Sequence, residues 1–312
     1  MPLHERSFKL QVWGADLFLL EKWDMSSSLS DDDQVLQIFS SFTQLPFAQR
    51  YAYTQRVKDQ GFKEPTDLPQ ADQDLLSRLR KPEELQAVAG MVWLQTCYEE
   101  GSNAAFSAFL GARADKTEFP VFRDARRYNY GGGDGWRRIF TRLPQMLDPY
   151  SVSPDWYEDE KKKALEECYE AEQQDTAEVE EQGGDPEEDG TYWMELYSGY
   201  HYAAKVGLIF VADEEMVRAA AEDLASAKVL AVWFDEMGRV VRHTRMSADD
   251  TWNVEVMETV MCGVLPERGE WMRAEPGEDY DWDGPLGPPS ITGQGDDSGE
   301  EDSGKEDSGE AD

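Results

Sequence analysis

Six arginines, Arg123, Arg126, Arg127, Arg137, Arg138 and Arg142, crowd the segment around the run YNYGGGDG. A guanidinium grips phosphate or carboxylate through a fork of N–H donors. Consecutive glycines let backbone N–H groups turn toward an anion. The pattern suits an anion site contacted by Arg123, Arg126, Arg127, Gly131, Gly132, Gly133, Arg137 and Arg138 and roofed by Tyr128, Tyr130 and Trp136. It is not a nucleotide loop of either common kind. No Lys-Ser/Thr follows the glycines, and no clear strand precedes them. Two blander readings compete: a flexible loop beside an amphipathic helix with an Arg-rich exposed face, and arginines paired with the chain's own acidic linker.

Asp279, Asp281 and Asp283 followed by Gly284 repeat the first half of a calcium loop, in which alternate carboxylates converge on a hard cation. The twelfth position, where such a loop needs a bidentate Glu, is Ser290, and Pro285, Pro288 and Pro289 bar an exiting helix. An acidic surface loop that packs Tyr280 and Trp282 onto the fold is the simpler expectation. His201 sits among aromatics in SGYHYAA, and Cys97 lies in an apolar stretch where a small buried residue is expected. No hydrolase, zinc-protease or kinase signature is present, so no catalytic residue and no cofactor are assigned. Ser298 and Ser303 each precede an acid by three positions and suit acid-directed phosphorylation.

The charge balance restricts partners. The 312 residues carry a formal net charge of −35, and two segments hold most of it. Asp155 to Asp189 has sixteen acids against three lysines, and Gly295 to Asp312 has nine acids against one. Such a chain repels phosphate backbones, so direct nucleic-acid binding is not expected and basic protein surfaces are favoured. Three cysteines without metal spacing fit a reducing compartment. No secretory leader or membrane-length apolar run is seen, so a soluble cytoplasmic or nuclear protein is expected.

The elements that would position these residues follow from periodicity. Phe8, Leu10 and Val12 alternate with polar residues before Gly14-Ala15-Asp16, and LFLLEKW can return as the second arm of a hairpin. Residues 31 to 113 read as helices. Asp31 to Asp33 start the first, Pro46 the second and Gly61 ends it. DLPQADQDLLSRLRK gives a third, EELQAVAGMVWLQTCYEE a fourth after Pro82, and Asn103 to Leu110 a short fifth. Trp136, Ile139, Phe140 and Leu143 make one helical face. Ser153-Pro154 opens a helix running to about Gln174 that fades into an acidic linker. TYWMELYSGYHY is aromatic and suits a strand and loop.

Lys205 to Ala274 is the most coherent stretch. KVGLIFVA suits a strand, Asp213 starts a helix, and KVLAVWFDEMGRVVRHTRM suits a hairpin turning at Glu236-Met237-Gly238. A helix capped by Ser247 and Asp250 follows, and GEWMRA suits a last strand. The order βαββαβ predicts a split βαβ, ferredoxin-like sheet with two helices. An RNA-binding version would need aromatics on its central strands, which offer only Phe210 and His243. The DSG-repeat tail has no hydrophobic residue and is expected to be disordered.

The expected architecture is α+β. It comprises a mostly helical region with an N-terminal hairpin over 1–150, an acidic helix and linker over 151–190, an α+β domain over 191–284 and an acidic tail over 285–312. The expected function is that of a non-enzymatic interaction or regulatory protein whose acidic segments engage basic surfaces. The alternative is a binding protein or enzyme for an anionic, phosphate- or carboxylate-bearing small molecule at the 123–142 segment.

Overall fold

The computed structural model describes residues 10–86, 91–113, 119–148, 152–181, 197–260, 270–281 and 283–286. It is a mixed helix-and-sheet structure, as the α+β expectation requires. Four helices open it: α1 (Gly14–Lys22), α2 (Asp31–Thr43), α3 (Phe47–Asp59) and α4 (Gln70–Leu79), followed by the single turn α5 (Pro82–Leu85). They bury Phe18, Phe39, Phe42 and Leu76 in a core of their own.

The second arm of the expected N-terminal hairpin is instead the helix α1, and Phe8 of its first arm lies outside the described residues. The Asp16 carboxylate accepts the Trp13 backbone N–H at 2.9 Å and closes the first turn. Gly14 lets the helix touch α3, since a Cβ there would lie 2.7 Å from the Thr54 nitrogen. Residues 14 to 19 are all buried, so the segment shows no polar face to reveal its helical period.

The described strands make one six-stranded sheet in the order β2-β1-β3-β4-β5-β6. They are β1 (Met91–Gln95), β2 (Val121–Phe122), β3 (Gly207–Ala212), β4 (Val229–Phe234), β5 (Val240–Met246) and β6 (Glu275–Pro276). β1 runs parallel to β2 and β3, and the remaining neighbours are antiparallel. Of the fourth expected helix, 83–85 is the helical turn α5, 91–95 is the strand β1, and 87–90 lie outside the described residues. MVWLQ is buried on every residue, and a strand covered on both faces reads as a continuous apolar run.

The split βαβ order is corrected as well. β3 pairs antiparallel with β4, so β3 to β6 lie side by side in chain order, and β1 from the N-terminal half occupies the other flank of β3. The sheet therefore crosses the boundary drawn through the acidic segment. Its remaining helices are α6 (Ser102–Ala112), α7 (Ala125–Tyr128), α8 (Pro154–Glu181), α9 (Ser198–Ala204), α10 (Glu214–Glu222), α11 (Ala248–Val260) and α12 (Glu270–Arg273). Two assignments change here. The 198–204 part of the aromatic strand-and-loop is α9, and GEWMRA supplies the turn α12, with β6 just after it. Trp271 of α12 packs edge-on to Trp233 at 5.2 Å, which holds that turn against the sheet.

One face of the sheet packs Trp93, Phe210, Ala231 and Trp233 against α6, α9, α10 and α11. The other packs Val92, Ile209, Val232 and Phe234 against Tyr128 and the short 3-10 turns of Gly133–Thr141 and Pro144–Leu147. The β4–β5 turn needs Gly238. Its φ is +75°, and a Cβ there would meet the Phe140 ring at 2.9 Å.

Candidate functional site: a groove on the sheet and an acidic helix face

The arginines of the 123–142 segment do not converge. Arg127 donates to the Glu84 carboxylate at 2.6 Å, and Arg142 grips Asp32 with two donors at 2.5 Å each. Arg137 stands over Trp136 and 3.6 Å from Asp134, and Arg138 lies 5.3 Å from the Tyr130 ring centre. Arg123 reaches Ser107 at 3.4 Å, and Arg126 is exposed. Gly131 and Gly133 have positive φ with open space about them, and Gly132 is exposed too. The acids that Arg127 and Arg142 meet belong to the N-terminal helices and not to the acidic linker, whose residues 182–190 lie outside the described residues. The expected helical face is the 3-10 turn, whose Trp136, Ile139 and Phe140 are buried on the sheet.

These pairs sit in buried networks that bind the N-terminal helices to the sheet. Arg80 donates to Asp16 at 2.7 Å, and Tyr128 donates to Glu84 at 3.0 Å. Arg50 is fully buried and donates to Asp148, to the Leu45 carbonyl at 2.6 Å and to the Glu236 carbonyl at 2.7 Å. Burial pushes the Asp148 carboxyl up to about 6 against the pull of Arg50. Burial also pushes the Tyr130 hydroxyl up to about 12.

A groove opens where the 3-10 turn stops covering its face of the sheet. Its volume is about 570 Å³. Leu230 lies opposite Arg245, and Val232 opposite His243, which in turn faces Glu275 on β6. These pairs form two rows across the floor. Lys228 and Arg273 stand at the rim, with Asp134 and Trp136 from the 3-10 turn on the far side. Arg245 pairs with Asp213 at 2.5 Å and Glu215 at 2.9 Å, and Arg273 with Glu270 at 3.0 Å. No described residue pairs with the side chains of Lys228 or His243. A second, more apolar cavity of about 460 Å³ lies between Val12, Trp13, Val57, Phe62 and Asp148.

The acidic helix α8 begins as expected. Ser153 Oγ accepts the Trp156 N–H at 3.3 Å behind Pro154. Tyr157 and Cys168 are buried, and Lys161 reaches the Glu236 carboxylate at 3.5 Å. The outer face carries Asp155, Glu158, Asp159, Glu166, Glu167 and Glu170, with Lys162 and Lys163 in loose pairs to Glu166 and Glu167. Trp156 stands on that face 52% exposed.

The DYDWDG loop folds as a turn, with the Gly284 N–H bonded to the Asp281 carbonyl at 2.9 Å and Leu286 to Asp279 at 2.7 Å. Tyr280 is buried and donates to Asp235 at 2.9 Å, so the expected packing of that tyrosine is present. Among the described residues no three His, Cys, Asp or Glu side chains are grouped to hold a metal, Asp279, Asp281 and Asp283 included. His201 is buried and accepts from Arg242 at 3.0 Å through Nδ1. Burial and the Arg242 charge hold its ring neutral well below the ordinary histidine range. Phe210 stacks on Trp93 at 4.5 Å inside the core, on the face away from His243, so the two cannot act as one base-stacking platform. Cys97 and Cys168 are buried. Ser298, Ser303 and the rest of the tail lie outside the described residues, as do His4, Cys262, Trp282 and residues 182–196. Among the described residues no helix is long and apolar enough to cross a membrane.

Compared with protein-family models, curated proteins and solved structures, the chain matches none of them. Lys228, Arg245 and Arg273 were missed as a group because they lie far apart in sequence. Only the register of β4 and β5 unites the first two.

Proposed function

We propose that this is a non-enzymatic interaction or regulatory protein whose acidic surfaces engage a basic partner. One observation carries the reading: α8 is anchored by Tyr157 and Cys168 and turns six carboxylates and the half-exposed Trp156 outward. An exposed indole among carboxylates suits a Lys/Arg-rich surface. The charges steer the approach, and the indole face takes a cation or its alkyl stem. The commitment of Arg127 and Arg142 to Glu84 and Asp32 counts against the alternative of an anion held by the 123–142 arginines. The acidic stretches 175–189 and 295–312 extend the same charge.

The test is binding of the full chain to an immobilised basic surface such as poly-L-lysine across a salt series. Trp156→Ala should weaken binding about tenfold. Reversal of Glu166 and Glu167 to lysine should flatten the salt dependence. Binding unchanged in both variants, and after deletion of 175–189 and 295–312, overturns the proposal.

A further inference from the structure

We infer that the groove over Leu230 and Val232 is a binding site for a small amphiphilic anion, a carboxylate or phosphate carried on an apolar body. The site is separate from the outer face of α8. The groove's volume of about 570 Å³ is that of a single small-molecule site.

The floor and rim differ in chemistry. Half-buried Leu230, with the buried Val232 and Val240 beside it, gives an apolar base for a ring or short alkyl chain. Lys228 brings an ammonium that no described carboxylate neutralises. His243 faces the same space from the middle strand, half-buried, with no described partner for its ring nitrogens. Arg273 is 76% exposed at its side chain and can turn from Glu270 toward a ligand. Arg245 is already held by Asp213 and Glu215 and serves as fixed structure.

Two acids, Asp134 and Glu275, also line the groove. They set the orientation: the ligand's charged end belongs at Lys228, away from Glu275 beside His243, and a dianionic or bulky acidic chain is disfavoured. Of the three cations that line the groove, Arg245 and Arg273 are paired with carboxylates, which leaves the Lys228 ammonium to meet an anion.

The experiment follows the His243 imidazole resonances by NMR in the full chain. His201 lies on the opposite face of the sheet and serves as an internal control. The probes are phenylacetate, phenyl phosphate, phenylethanol and inorganic phosphate. Phenylacetate or phenyl phosphate should shift His243 saturably and leave His201 in place, and which acts at lower concentration tells carboxylate from phosphate. Phenylethanol and inorganic phosphate, each lacking half of the required chemistry, should bind at least about tenfold more weakly.

Lys228→Gln should weaken the effective probe about tenfold, whereas Arg126→Gln, outside the groove, should not. A flat His243 response to both aromatic anions overturns the inference, as does equal binding of phenylethanol. So does a His243 shift on deleting 295–312 that matches the ligand-induced one, because the chain's own acidic tail would then be the occupant. None of these readouts involves α8, so the basic-partner reading stands or falls by its own test.

Discussion

The two faces of the sheet are finished differently. Toward α6, α9, α10 and α11, Trp93 stacks on Phe210 and donates to Glu255 at 2.7 Å, while Trp233 meets Trp271 edge-on. Toward the 3-10 turn, cover extends over Phe234 and Val240 and then stops, leaving Leu230, His243 and Arg245 at a groove. A closed face is where side chains spend their surface on packing. An unfinished face with polar groups at its rim is where a ligand can gain from the same apolar surface.

The comparison can be broken most directly on the closed face. Trp93→Ala should cost about 4 kcal/mol in denaturant unfolding, because it opens a cavity and removes one donor to Glu255, whose other oxygen Arg113 still holds. A loss under about 1 kcal/mol would mean that this face is not the main source of stability. Next comes the buried network behind the open face. Glu84→Ala removes the acceptor shared by Arg127 and Tyr128 and a neighbour of Arg80, and should cost about 3 kcal/mol by the same measurement.

The pH response separates groups on the two sides. His201, on the closed face, is kept neutral well below its ordinary value of 6.5, chiefly by burial. The unfolded chain takes up that proton first, so this group makes stability fall as pH drops below about 6.5. Asp148, beside the second cavity, is raised from 3.8 to about 6 by burial. Its contribution has the opposite sense: full below pH 3.8, and lost as pH rises through about 6. His201→Gln should therefore flatten the acid limb of stability, and Asp148→Asn should steepen it between pH 6 and 4. Denaturation midpoints from pH 7 to 4 decide this, and profiles that overlay the parent would refute both assignments. The smallest effect belongs to the open face. Lys228→Gln should change stability by less than about 0.5 kcal/mol while weakening the aromatic anions.

Local signals in the sequence determined the helix starts at Ser30, Ser153, Asp213 and Ser247, the end of α3 near Gly61 and the β4–β5 hairpin turning at Gly238. Each rests on a cap or a backbone preference that acts within a few residues. The charge of α8 was equally plain. What the sequence left open was decided by packing. Residues 14–19 of α1 and all of β1 are buried, so neither stretch shows the polar side from which a period is read. The place of β1 beside β3 depends on hydrogen bonds between residues more than a hundred positions apart. The fate of the arginines was likewise tertiary: Arg142 pairs with Asp32 and Arg127 with Glu84 because helices far away in sequence pack beside them. The groove's cations came together only when β4 and β5 paired and α12 folded back beside them. Strand register, which no local pattern specifies across such distances, set both the closed face and the open one.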